Sequence, residues 1–366
     1  MGSNSFGRIL TMTTFGESHG RALGAVLDGF PAGVPLSEED LAPYLARRKP
    51  GGHYLSTARG ESDRAEILSG VFEGRTTGTP IAMLVYNQDA HPGDYEALKD
   101  LYRPGHADYT YEAKYGIRDY RGGGRASGRE TIGRVLCGAV CMQLLKELSV
   151  DVFAYTRSIG EIEADPARFE RAAILESRTA MPDREADEKA VACIEALRAK
   201  GDSAGGVAEC ILRGVPAGLG DPVFDKLDAL LSHAVMSIGA VKAVEIGDGI
   251  LAATAQGSSH NDAFAVSMGS VTKKSNHAGG ILGGISDGSD IVLRAHIKPT
   301  PSIASGQQTV TKDKKEVSLH IKGRHDPVIV PRAVVVIECM CAFVLTDALL
   351  GGMPAQKDAV LAHYRR

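Results

Sequence analysis

A-V-V-V-I-E-C-M-C-A-F-V-L-T-D-A-L-L, residues 333–350, is apolar throughout except for Glu338 in its middle and Thr346 and Asp347 near its end. A run of this length and character either crosses a bilayer or lies inside a folded domain. Glu338 favours the second reading, because a carboxylate near a bilayer centre is costly. Pro331 stands where the first helical turn tolerates proline. The run is therefore read as a central helix covered on both sides, and no membrane is expected as a partner.

Around this helix the patterns alternate between two kinds. Helical spacing of apolar residues recurs over 128–148, at 132, 135, 136, 139, 140, 144 and 148, and more briefly over 224–236 and 188–200. Strand-like segments fall at 81–86, 150–155, 206–215, 241–246, 291–297 and 317–321. Several alternate apolar and polar residues, as in L-R-A-H-I-K at 293–298, which suggests sheets with one buried face. Strands and helices do not alternate strictly, so layered α+β is expected rather than a doubly wound sheet. No repeat or low-complexity linker divides the chain. A single domain over 1–353 with a polar tail at 354–366 follows.

The 366 residues carry a formal net charge of −4, with 43% hydrophobic and 23% charged residues. That is the composition of a soluble globular protein. A net acidic chain with no Trp argues against a nucleic-acid partner, which would want a basic surface and stacking platforms. The six cysteines form no C-x-x-C pair and lie mostly in apolar runs, which suits a reducing cytoplasm. The N-terminal M-G-S-N-S-F shows no signal pattern.

Arginine is instead concentrated locally. R-D-Y-R-G-G-G-R-A-S-G-R-E-T at 118–131 sets Arg118, Arg121, Arg125 and Arg129 around three glycines, just before a helix. Glycines admit close backbone approach, guanidiniums fork onto phosphate and carboxylate, and a helix start offers unpaired N–H groups. Within it, Ser127-x-x-Glu130 fits a capping box that would start the helix. Other candidates are G-E-S-H-G at 16–20, where His19 can exchange a proton near neutral pH, and R-P-G-H-A-D at 103–108. In the latter, Asp108 is close enough in sequence to orient His106. R-H-D-P at 324–327 and Arg332 stand just ahead of the central helix. R-R-K-P-G-G at 47–52, A-G-G-I-L-G-G at 278–284 and K-P-T-P-S at 298–302 are further anion-binding candidates.

Some patterns point elsewhere and carry less. G-D-G-I-L-A at 247–252 matches a loose dinucleotide fingerprint but no clear helix follows. G-x-S-x-G occurs at 16–20 and 284–288, in neither case between a clear strand and helix. There is no phosphate-binding G-x-x-x-x-G-K-[ST], and the histidines lack metal-ligand spacing, so no metal is expected.

Taken together, G-E-S-H-G, R-P-G-H-A-D, G-R-A-S-G-R-E-T at 124–131 and R-H-D-P-V-I-V-P-R-A at 324–333 resemble the motifs of the chorismate synthase family, in that family's order and across nearly the whole chain. The resemblance implies a β-α-β sandwich, a buried helical layer between antiparallel sheets, assembled as a homotetramer. It implies a 1,4-anti elimination of phosphate from 5-enolpyruvylshikimate 3-phosphate, giving chorismate for aromatic amino acid biosynthesis. FMN is implied in its reduced form, FMNH2, supplied by a flavin reductase or by NADPH. It also implies roles: His19 protonates the departing phosphate, His106 protonates or stabilises the reduced flavin, and Asp326 assists proton removal. Arg48, Arg129, Arg134 and Arg332 would bind substrate. Arg125, Ala126, Ser127, Gly239, Ala240, Gly283, Lys298, Pro299, Thr300, Pro301, Ser302 and Arg324 would contact FMN. The sequence departs from the family at Tyr54, where many relatives carry a second loop arginine that His53 would have to replace, and at Ala126, where serine is frequent.

Overall fold

The computed structural model describes residues 3–49, 63–88, 96, 98–321 and 326–365. Among these the helices are α1 (Glu38–Arg48), α2 (Asp108–Tyr115), α3 (Thr131–Glu147), α4 (Ala173–Glu176), α5 (Arg184–Lys200), α6 (Leu227–Met236), α7 (Gly257–His260), α8 (Val330–Gly352) and α9 (Lys357–Tyr364). Two five-stranded antiparallel sheets enclose the helical layer. The first runs Ser5–Gly7, Thr11–Gly16, Ala22–Asp28, Ile81–Tyr86, Ala65–Ile67, and the second Val241–Ile246, Ile291–Ile297, Gly206–Arg213, Asp151–Ile159, Ile162–Glu163.

The helical layer is two helices deep at its centre. α3 packs on the first sheet, α8 packs on the second, and the two helices pack on each other. The expected cover for residues 333–350 is thus α3 on one side and a sheet on the other. Gly138 permits this: a Cβ there would sit 2.4 Å from the Cys339 carbonyl oxygen, so the helices meet backbone to backbone. Strand Ile291–Ile297 alternates buried and half-buried residues along its whole length, as its sequence pattern requires.

The two carboxylates of the apolar helix are both paired. Glu338 accepts from Arg47 Nη1 and Nη2 at 2.7 and 2.8 Å and from the Ala154 backbone N–H at 3.0 Å. Asp347 accepts from the backbone N–H groups of Arg8, Ile9 and Leu10 at 3.0, 2.9 and 2.9 Å. Each ties α8 to a different neighbour, which is how a buried charge is tolerated.

Three expectations change. The first sheet goes largely unread in the sequence, where only Ile81–Tyr86 is marked. The segment near 317–321 forms a separate two-stranded hairpin, Glu316–Leu319 with Gln307–Val310, rather than part of a main sheet. The capping box is half formed. Ser127 Oγ accepts from the Arg129 backbone N–H at 3.3 Å, but Glu130 turns to the Thr14 hydroxyl and Arg134 Nε, both at 3.0 Å. The polar tail carries the short exposed helix α9.

Candidate active site

On α1, Leu41, Leu45 and Arg48 share one buried face, so the spacing that seats two core leucines also buries a guanidinium. Arg48 is 1% exposed. Its Nη2 donates to Asp63 Oδ2 at 2.5 Å. Arg129, on the short turn ahead of α3, donates from Nη1 to Asp63 Oδ1 at 3.0 Å. Arg332, in the first turn of α8, donates from Nε to the Arg48 carbonyl oxygen at 3.0 Å and from Nη1 to Asp326 Oδ2. The C-terminal end of α1 and the N-terminal ends of α3 and α8 therefore converge. Three guanidiniums face two carboxylates, and two helix N-termini add positive potential.

Burial lowers the Arg48 pKa to about 10 despite Asp63, and repulsion from Arg332 and Arg129 adds to the drop. Burial would raise the Asp63 carboxyl, but Arg48 and Arg129 outweigh it and hold it below the usual range. Among the described residues, Arg48 Nε and Nη1 are buried without a hydrogen-bond partner. Leaving such donors unmet is expensive, and an anion would meet them.

His19 stands beside this cluster. Its Nδ1 lies 3.0 Å from Ser18 Oγ. A Cβ on Gly122, whose φ is +154°, would fall 2.1 Å from the same nitrogen, so the R-G-G-G loop lies directly under the imidazole. Asn87 links the two regions: Nδ2 donates to the Glu17 and Gly20 carbonyl oxygens, and Oδ1 accepts from Arg129 Nε.

A second group surrounds His106. Its Nε2 lies 2.7 Å from Ser302 Oγ, while Lys298 Nζ donates to the Gly105 carbonyl oxygen at 2.8 Å. The Lys298 backbone N–H donates to Ala240 O at 2.9 Å, which brings Ala240 and Gly239 to the same loop. Ser203 Oγ donates to Thr300 O at 2.7 Å and the Ala204 N–H donates to Pro327 O at 3.1 Å. These two bonds join the 298–302 loop to Asp326. Among the described residues Thr300 Oγ1 is buried without a partner.

Asp108 does not orient His106. Arg103 engages it through its backbone N–H, Nε and Nη2, and Arg118 Nη1 approaches it at 2.9 Å. Burial works against ionisation there, yet these bonds and charges bring its pKa down to about 2.

The remaining residues divide. Arg125 folds back onto the His19 loop, donating to Gly16 O at 3.1 Å and to Thr14 Oγ1 at 2.5 Å, with Ala126 and Ser127 in the following turn. Arg134 turns away from Arg48, Arg129 and Arg332, its Nη1 and Nη2 donating to Ser237 at the end of α6. Gly283 sits near the other end of α6, where the Leu227 N–H donates to Gly284 O at 2.8 Å. The ten-residue α6, about 15 Å long, thus separates it from Gly239 and Ala240. Arg324, with His325, Tyr54 and His53, lies outside the described residues.

Asp63, Asn87, Ser203 and Ala204 escaped the sequence reading. The one available signal was electrostatic: two arginines buried together need a carboxylate between them.

The sequence matches the family described as chorismate synthase over residues 10–350. It is 55% identical over 367 residues to the chorismate synthase of Lachnoclostridium phytofermentans, covering 100% of both chains. It is 54% identical to that of Methanosarcina barkeri, over 96% of this chain and 97% of the relative. A solved crystal structure of chorismate synthase superposes with a TM-score of 0.77 at 35% identity, covering 98% of this chain and 97% of the other. The chain belongs to the chorismate synthase family.

Proposed function

We propose that this lyase converts 5-enolpyruvylshikimate 3-phosphate to chorismate and phosphate, using reduced FMN. The observation that carries the proposal is the cluster Arg48–Asp63–Arg129–Arg332, which keeps buried donors of Arg48 unmet beside His19 and Asp326. The substrate brings a phosphate and two carboxylates, which is the chemistry such donors accept.

Arg48, Arg129 and Arg332 hold the anionic groups and orient the ring. His19 gives a proton to a phosphate oxygen as the C3–O bond breaks, so the leaving group departs less charged. Asp326, held by Arg332, takes part in removing the hydrogen on C6. Arg134, whose Nη1 and Nη2 donate to Ser237, is placed with those arginines as a substrate-binding residue. The 298–302 loop, Gly239 and Ala240, and the Arg125–Ser127 turn hold the flavin; the unmet Thr300 Oγ1 and the Lys298 ammonium suit its polar groups. His106, set by Ser302, stabilises the reduced form. Held by these residues, reduced FMN would supply electron density for loss of the phosphate with no net redox change. We place Gly283 and Arg324 on the flavin as well, the chain in a homotetramer, and the protein in the cytoplasm.

The test is an anaerobic assay of the folded protein with substrate and reduced FMN, following chorismate and phosphate. Equal release of both is expected, and no product refutes the proposal. Repeating it with oxidised FMN and NADPH alone separates a chain that reduces its own flavin from one that needs a reductase.

A further inference from the structure

Asn87 follows the strand Ile81–Tyr86 and belongs to none of the motifs at 16–20, 103–108, 118–131 and 324–333. Its side-chain amide makes three hydrogen bonds. Nδ2 donates to Glu17 O at 3.0 Å and to Gly20 O at 2.7 Å, and Oδ1 accepts from Arg129 Nε at 2.5 Å. One orientation of the amide satisfies all three, because two carbonyl oxygens require donors and the guanidinium requires an acceptor. Aspartate has the same shape but would set a carboxylate against two carbonyl oxygens.

The two sides of this amide have different tasks. Glu17 and Gly20 bracket His19, and the turn between them is closed by the Gly20 N–H donating to Glu17 O at 3.0 Å. Arg129 is shared between Asn87 and Asp63. Any pull on the Arg129 guanidinium is therefore felt by the turn that carries the imidazole.

We propose that Asn87 is a positioning residue that holds the His19 turn in register with the anion-binding arginines, so that filling the arginine cluster and aiming the imidazole are one event. The inference rests on His19 being the proton donor to the leaving phosphate. Asn87 itself moves no proton.

The test is anaerobic turnover of 5-enolpyruvylshikimate 3-phosphate with reduced FMN, for Asn87→Asp and Asn87→Ala, each alone and combined with His19→Ala. Misplacing a reacting group costs about 10²-fold, so each single variant should lose about that factor in kcat, with KM within about threefold. In the His19→Ala background the same change should cost less than about twofold, since the turn no longer carries the acid. Equal losses in both backgrounds, a loss confined to KM, or wild-type kcat in the single variants would overturn the proposal. Asn87→Ala introduces no charge and stays readable if Asn87→Asp fails to fold. A measurement on the unaltered chain stands beside them: substrate without flavin should slow amide exchange across residues 17–20 by about fivefold or more. No slowing there also overturns the coupling. A folded wild-type chain that makes no chorismate refutes the assigned reaction instead, whereas a competent wild type matched by its variants refutes only the role of Asn87.

Discussion

In the triad Arg103–Asp108–Arg118, one buried carboxylate lies between two guanidiniums, and most donors are used, although Arg118 Nε is buried without a partner among the described residues. Arg103 gives three hydrogen bonds to Asp108, and Arg118 Nη2 continues to the carbonyl oxygens of Leu98, Lys99 and Leu101. The triad Arg48–Asp63–Arg129 has the same residue types at similar burial: Asp108 is 5% exposed and Asp63 4%. There Arg48 gives only Nη2, leaving Nε and Nη1 without partners among the described residues. The first triad ties the start of α2 to the loop before it; the second leaves two Arg48 donors open. Neither charge nor burial separates them. The count of spent donors does, and the sequence cannot supply that count.

Removing one guanidinium from each is the strongest way to break the comparison. Truncating one partner of a buried charge pair costs roughly 3–5 kcal/mol, and the readout should differ between the triads. Arg118→Ala is expected to lose that much stability in urea unfolding, with kcat/KM of the folded fraction within about threefold. Arg48→Ala is expected to lower kcat/KM by about 10³-fold, its interaction with the anionic substrate being gone. If Arg118→Ala is as inactive as Arg48→Ala while folded, the two triads are not distinct.

Acid separates Asp108 from an ordinary surface carboxylate. Its pKa lies near 2 in the folded chain against about 4 unfolded. A depressed carboxyl contributes stability that is present above the unfolded value and lost as pH falls through the folded one. About 2–3 kcal/mol should therefore disappear between roughly pH 4 and pH 2. Urea midpoints across that range should show it, and Asp108→Asn should flatten this part of the profile. An unchanged slope in the variant would remove Asp108 from the acid response.

What could be read from sequence follows the same division between local and distant. Residues 333–350 were legible because apolarity and two carboxylates within one run leave few options. The strand Ala22–Asp28 was not, since A-L-G-A-V-L-D is nearly continuous in apolar residues and shows neither period clearly. α1 carries Pro43 inside it, and a proline within a helical pattern is ordinarily a sign of its end, so its sequence does not announce a helix. At the site, motifs marked the arginines and histidines, but partners are set by folding: Arg129 reaches Asp63 from 66 positions away and Arg332 reaches Arg48 from 284. Nearness in sequence misled at His106 and Asp108, where the carboxylate is already engaged by Arg103 and Arg118.

A finer probe keeps the charge of Arg48 and removes its fork. Lysine at this position supplies a point charge that cannot serve Asp63 and an anion together. Arg48→Lys is expected to raise KM about tenfold, or ~1.4 kcal/mol, with kcat within about threefold. A lysine variant with unaltered KM would show that Arg48 acts by charge alone.

The smallest effect belongs to Arg121, and it tests whether the glycine-rich stretch binds through all its arginines. Arg121 is turned outward: its side chain is 53% exposed and paired with Asp119 two residues away, through Nε at 2.8 Å and Nη2 at 2.7 Å. Arg118 from the same stretch is committed to Asp108 and three carbonyl oxygens, and Arg125 to the His19 loop. Of the four, Arg129 alone meets Asp63 and, through it, Arg48. An exposed pair held by solvent-screened charges contributes little. Arg121→Ala should therefore leave kcat and KM within about twofold of wild type. A larger rise in KM would place Arg121 on the ligand and make the stretch a phosphate cradle along its whole length, rather than a scaffold that offers one arginine to the substrate.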